Sequence, residues 1–190
     1  SRVKSDVLPG YFDNIERMSG GLAAELGKSV RVTTRTDFER LPVLPALRNP
    51  IIHIVRNALD HGIEEEIERV AAGKTGTGRI SISIVAEDDA TCQVIVQDDG
   101  RGIDFEAVAR RARELGILTT DQPTRNDILR ILFSPQFTSR TTATEVSGRG
   151  VGLDAVRDAV HALGGSIAVA TRANEGTRFT IRVPASGGTP

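Results

Sequence analysis

Five short runs alternate apolar and polar residues: "VRVTTRT" (30–36), "RISISIV" (79–85), "TCQVIVQ" (91–97), "SIAVATR" (166–172) and "TRFTIRV" (177–183). A period of two predicts strands with one apolar face, and in the last run that face carries Phe179, Ile181 and Val183. The acidic turn "EDDA" joins the second and third runs as a hairpin. Between the strands the spacing changes to threes and fours. Tyr11, Ile15, Met18, Leu22 and Leu26 form a helical stripe that Gly20 and Gly21 should weaken. The three prolines of "LPVLPALRNP" predict short helical turns at most, and a helix is expected over residues 51–69. "GKTGTG" (73–78) is a loop. Asp104 is a good N-cap for a helix over 105–115 that Gly116 ends, and "NDILRILF" forms another short helix. A last helix over 151–163 buries Val156, Val160 and Leu163 and stops at Gly164 and Gly165. Before it lies "SPQFTSRTTATEVSGRG" (134–150), Ser/Thr-rich and almost without periodicity; a loop that long inside a compact domain is usually functional or disordered.

Strands joined by tight turns pair antiparallel, and their one-sided alternation requires a covering layer on a single face. The expected fold class is therefore α/β (α+β): a two-layer sandwich whose mostly antiparallel, mixed sheet is covered by helices on one face. At 190 residues one domain is expected, over 29–185, preceded by a helix or linker over 1–28 and followed by the linker-like tail 186–190, "SGGTP". With 24 basic and 25 acidic residues, no global pull toward nucleic acid or anionic membrane is visible, so any anion must be bound locally. The single cysteine, Cys92, lies in a strand, as fits an inert buried thiol in a reducing, cytoplasmic compartment. No apolar run suggests a signal peptide or direct membrane insertion.

Candidate chemistry collects at three places. "DDGRG" (98–102) leaves the end of a strand, and "GRGVG" (148–152) ends the long loop at a helix start. Glycines there let backbone amides approach a phosphate at a helix N-terminus, although such a turn taken alone is more often a plain connection. "GRGVG" lacks the Lys-Ser/Thr of a P-loop and does not sit on the first turn of a Rossmann unit. Asp98 is either a turn residue capping its own backbone or an acceptor for the exocyclic amine of adenine, with Gly100 and Gly102 giving the base room. In "HIVRNALDHGIE" (53–64), His53, Asn57 and Asp60 fall on one helical face, while Ile52, Val55 and Leu59 take another. His53 and Asn57 could simply bond each other. With two glycine clusters added, a Mg²⁺–triphosphate site is the better explanation, because an amide oxygen is a hard ligand and Mg²⁺ takes only one or two protein ligands beside phosphate and water.

Taken in order, "HxxxNxxDHG" (53–62), "DDGRGID" (98–104), "LFSPQFTS" (132–139), "SGRGVGLDAVR" (147–157) and "GTRFTIRVP" (176–184) resemble the N box, first glycine box, phenylalanine box, second glycine box and final strand of the GHKL ATPase superfamily. More narrowly they resemble the ATP-binding kinase domain of the CheA-type chemotaxis histidine kinases. The resemblance implies a Bergerat-type fold, with ATP and Mg²⁺ as cofactors. It implies nucleotide contacts from Asn57, Asp60 and His61, from Asp98, Gly100 and Gly102, from Ser147, Gly148, Arg149, Gly150, Val151, Gly152 and Leu153, and from Thr177, this last through water. It also implies metal contacts from Asn57 and His53, a catalytic His53, and an ATP lid over 134–149. The implied reaction is protein-histidine kinase chemistry: γ-phosphate passes to a histidine on a separate phosphotransfer domain of the same protein or its dimer mate. Response regulators would act downstream, in a two-component phosphorelay. A preceding dimerisation region would precede residues 1–28, and receptor and coupling adaptor would be reached through further domains.

Two departures stand out. Related kinases often carry lysine a few positions after "DDGRGID", where this chain has Ala107, leaving Arg110 or Arg111 as substitutes. Pro42 and Pro45 interrupt a stretch that is usually helical. The charge run "EEEIER" (64–69) is expected to be a solvated helix end. The alternatives are a GHKL ATPase of chaperone, topoisomerase or repair type, against which His53 argues because it stands where water-activating members carry Glu, and a catalytically silent nucleotide-binding module.

Overall fold

The computed structural model describes residues 8–137 and 152–186. Five strands form one sheet: β1 (Val30–Thr36), β2 (Gly78–Ala86), β3 (Thr91–Asp98), β4 (Ser166–Arg172) and β5 (Gly176–Pro184), in the order β1-β2-β3-β5-β4. β2–β3, β3–β5 and β4–β5 are antiparallel, and β1 lies parallel to β2. Every strand is within a residue of its predicted limits. Alternation is the cause. Ile80, Ile82, Ile84, Cys92, Val94, Val96, Phe179, Ile181 and Val183 are buried. Their neighbours Arg79, Arg178 and Arg182 remain exposed on the other face, where Arg178 donates to Gln97 and Arg182 pairs with Glu87 at 3.1 Å. Burial pushes the Cys92 thiol up to about 11, so it stays protonated and inert at neutral pH.

The helical layer consists of α1 (Leu8–Glu25), α2 (Leu44–Asn57), α3 (Glu66–Ala71), α4 (Phe105–Glu114), α5 (Arg125–Leu132) and α6 (Leu153–Ala162). The two-layer class is as expected. In α1 the buried face is Tyr11, Phe12, Ile15, Ser19 and Ala23, and these apolar residues join the same core as α2, α6 and the sheet. Met18 and Leu22 of the predicted stripe are only half-buried, and Leu26 is exposed. Ala109, Ala112, Leu118, Ile128 and Ile131 make a smaller cluster between α4 and α5. Arg125 ties that cluster to the sheet by lying 4.5 Å above the Phe105 ring and donating to the Thr171 carbonyl.

Three expectations need correction, two of them around the second helix. The proline-rich stretch does not stop at isolated turns, because α2 begins at Leu44 with Pro45 in its first turn, where no backbone N–H is required. Pro50 sits inside the helix, buried with Leu47, Ile51 and Ile54. The helix also does not run unbroken to residue 69. At Ala58–Gly62 it widens into one π-turn, closed by Ile63 N–H donating to Ala58 at 2.7 Å, and then breaks before α3. Finally, α6 starts at Leu153, with Gly152 in extended conformation before it, rather than at 151.

Candidate functional site

Asp98, the last residue of β3, is 5 % exposed. Its Oδ1 accepts the amide of Gly100 at 2.8 Å and that of Thr177 at 3.3 Å, so one carboxylate oxygen is held from two strands' ends. Oδ2 accepts no hydrogen bond among the described residues. Burial pushes this carboxyl up to about 6, against the two amides that favour the ionised form. At neutral pH it is an anion with one free acceptor.

Glycines surround it because other backbones come close. Gly62, at the end of the π-turn, has its Cα face on the Asp98 carboxylate, where a Cβ would lie 3.4 Å from Oδ1. Gly100 has no room for a Cβ, since one would overlap the Gly62 carbonyl, and Gly176 (φ 102°) likewise abuts the Asp98 carbonyl. Arg101 N–H donates to that Gly62 carbonyl at 2.9 Å, joining the helical layer to the strand end. Gly102 leaves the turn with φ 77°. Next, Ile103 N–H donates to the Thr171 hydroxyl at 2.9 Å, which donates its own proton to Gly176 O at 3.1 Å. Thr171 Oγ1 is 3.2 Å from Thr177 Oγ1, so the Thr177 proton goes to Thr171 and Thr177 is left as an acceptor. Thus Asp98, Gly100, Gly102 and Thr177 come together with Gly62, the last residue of the 53–62 motif, and with Thr171, which the sequence does not single out.

Asn57 closes α2 one turn before Gly62, and His53 lies one turn earlier. Both are half-buried, and neither side chain bonds the other or any described residue. Burial, and then Arg56, hold the His53 imidazole below its usual range, favouring its neutral form. The Asp60 carboxylate lies 3.6 Å from Arg56, and His61 is exposed. Lys28, unnoticed in the sequence, donates to the carbonyls of Leu59 (2.6 Å) and Asp60 (3.1 Å), placing a cation at the helix end. Leu153 packs on the main core behind Gly152, whereas Ser147, Gly148, Arg149, Gly150, Val151 and most of the predicted lid lie outside the described residues. Asp104 caps α4 by accepting from Ala107 N–H at 2.9 Å, as predicted. Arg111 pairs with Glu114 at 3.0 Å, while Arg110 is exposed.

The "EEEIER" run departs most from expectation. Arg69 and Glu64 are 1 % and 6 % exposed and pair at 3.0 Å, so part of the run is interior. The pairing depends on Lys74 and Asp99, which the local sequence does not announce.

The sequence model described as histidine kinase-, DNA gyrase B- and HSP90-like ATPase matches residues 46–187, which includes every element around Asp98. The chain belongs to this ATPase family. Among family members, it is 38% identical to the chemotaxis protein CheA of Treponema pallidum over 96% of this chain and 23% of that protein. It is 37% identical to CheA of Halobacterium salinarum over 88% of this chain and 26% of that protein. It therefore spans about a quarter of the length of these relatives, and within the ATPase family it resembles the CheA type. The catalytic domain of the histidine kinase ThkA shares the fold, with a TM-score of 0.58 at 20% identity over 94% of this chain and 92% of that one. No helix among the described residues is long and apolar enough to cross a membrane.

Proposed function

We propose that this ATPase-family domain binds Mg-ATP and acts as the catalytic part of a protein-histidine kinase. The observation that carries the reading is the largely buried Asp98 carboxylate: one oxygen is fixed by two backbone amides, and the other is free to accept. Such a group accepts from the adenine amine and repels the carbonyl that guanine carries at the same position. Thr177, left as an acceptor, would take a water that bridges to the base.

The donor set suits a cation that travels with phosphate. Among the described residues no three His, Cys, Asp or Glu side chains converge on a metal position. Asn57 offers one hard amide oxygen, and His53 stands on the same face of α2. When bound, Mg²⁺ would neutralise charge on the β- and γ-phosphates. The protein's own contribution is positioning. The α6 N-terminus, which has no side-chain cap, would offer amides to phosphate, and Asn57 and His53 would orient the triphosphate end while Asp98 holds the base. A histidine nitrogen of a phosphotransfer domain would then form its bond to the γ-phosphorus as the bond to the β–γ bridging oxygen breaks, releasing ADP. Response regulators, receptor and adaptor would act through the rest of the longer protein, in the cytoplasm.

The test mixes the domain with histidine-containing domains and γ-labelled ATP. Label on histidine, lost in Asn57→Ala, is the expected result; ATP binding with no transfer to any such domain would reject kinase activity in favour of a silent module. His53→Ala is expected to lower transfer at least ~10-fold while changing ATP affinity by less than about 3-fold, since its group acts on the reacting end. An equal loss in both would assign His53 to binding alone.

A further inference from the structure

Beneath the Asp98 turn lies a cluster with a zero charge sum: Glu64, Arg69, Lys74 and Asp99. Lys74 Nζ uses all three of its hydrogens, on Glu64 Oε1 (2.7 Å), Asp99 O (3.0 Å) and Gly100 O (2.7 Å). Arg69 adds bonds to Glu64 Oε2 (3.0 Å), Asp99 Oδ2 (3.0 Å), Asp99 O (3.3 Å) and Thr75 O (2.8 Å). Asp99 Oδ1 takes the Arg79 amide at 2.8 Å.

The two carbonyls gripped by Lys74 belong to consecutive peptide planes, and each plane carries an N–H on its opposite edge. The plane of the Asp99 carbonyl carries the Gly100 amide, which holds Asp98 Oδ1 at 2.8 Å. The plane of the Gly100 carbonyl carries the Arg101 amide, which holds the Gly62 carbonyl at 2.9 Å. One ammonium thus fixes, through rigid peptides, both the acceptor at the base and the glycine packed against it. Buried ion clusters are weak contributors to net stability once desolvation is counted, so geometry is the more informative role to test.

We propose that Lys74, held by the Glu64–Arg69 pair, is a positioning residue that sets adenine selectivity by locking the two peptide planes behind Asp98. This rests on the adenine reading given above. It touches neither base nor phosphate and acts through the backbone alone.

The experiment measures ADP and IDP binding by calorimetry for the domain and for Lys74→Met, Lys74→Arg and Lys74→Gln. IDP carries a carbonyl where ADP carries the amine. The expected result is that the parent prefers ADP and that Lys74→Met weakens ADP about 10-fold with IDP unchanged, collapsing the ratio. Lys74→Arg, which keeps charge and donors, should recover most of it. An ADP/IDP ratio that survives Lys74→Met, whether both affinities fall together or neither moves, overturns the proposal and leaves Lys74 a structural residue. A parent that does not distinguish ADP from IDP overturns the adenine reading itself, a separate result visible before any variant is made. Should Lys74→Met not fold, Lys74→Gln carries the same two outcomes.

Discussion

At Asp98 stability and the proposed adenine recognition oppose each other. The carboxyl is raised to about 6, mainly by burial, above its unfolded value. The folded state therefore takes up this proton more readily than the unfolded chain. The stability Asp98 contributes is fully present below about pH 4 and is lost as pH rises through about 6. Recognition runs the other way, because accepting from an adenine amine requires the anion. Adenine-nucleotide affinity is expected to fall as pH drops below about 6, measured by titration calorimetry between pH 5 and 8. Asp98→Asn should separate the two demands. Its oxygen can still serve the Gly100 and Thr177 amides, which turns its NH₂ toward the adenine amine, donor against donor. ATP binding should weaken at least ~10-fold, while the melting temperature at pH 8 stays equal to or above that of the parent, because a buried charge has been removed. A melting temperature several degrees lower would contradict this account.

The element that decides the site is α2 with its π-turn. Gly62 at its end is wedged between Asp98 and the Arg101 amide, and the two neighbouring glycines predict opposite variants. Gly100→Ala collides with the Gly62 carbonyl backbone, so a loss of roughly 2–4 kcal/mol in chemical denaturation is expected. Gly62→Ala meets only the Asp98 carboxylate at ordinary contact distance. It should cost less than about 1 kcal/mol of stability and still weaken ADP binding, because the methyl crowds the free oxygen. This region also marks where sequence reasoning reaches its limit. The strands were legible because one buried face imposes alternation on Ile80, Ile82 and Ile84 whatever their partners. That Asp98, Gly100, Gly102 and Thr177 would lie together was legible because the boxes occur in order. The start of α2 is not legible from proline content alone, because Pro45 in a first turn forfeits no hydrogen bond. The π-turn and the buried Glu64–Arg69 pair could not be read locally. Each is decided by partners from elsewhere in the chain, Arg101 for one and Lys74 with Asp99 for the other.

Across the whole molecule, α1 shares the core with the sheet's helical cover. Ile15, 2 % exposed, contacts that core along with Tyr11 and Phe12. Ile15→Ala is expected to lower the unfolding free energy by about 3 kcal/mol with an unchanged denaturant slope, measured in urea. A negligible change would mean that α1 is docked without contributing to the fold. Among the described residues the one parallel pairing is β1 with β2. In sequence α2, the π-turn and α3 lie between the two strands, and such long closures lose chain entropy before their contacts form. Gly62 rides on that same closure. On the proposed reading a chain still short of it would lack the purine seat, so nucleotide should leave the refolding rate untouched and slow unfolding in proportion to saturation, as stopped-flow traces at several ADP concentrations would show. The ligand would then act as a latch on an already folded molecule, lengthening its lifetime without guiding its formation.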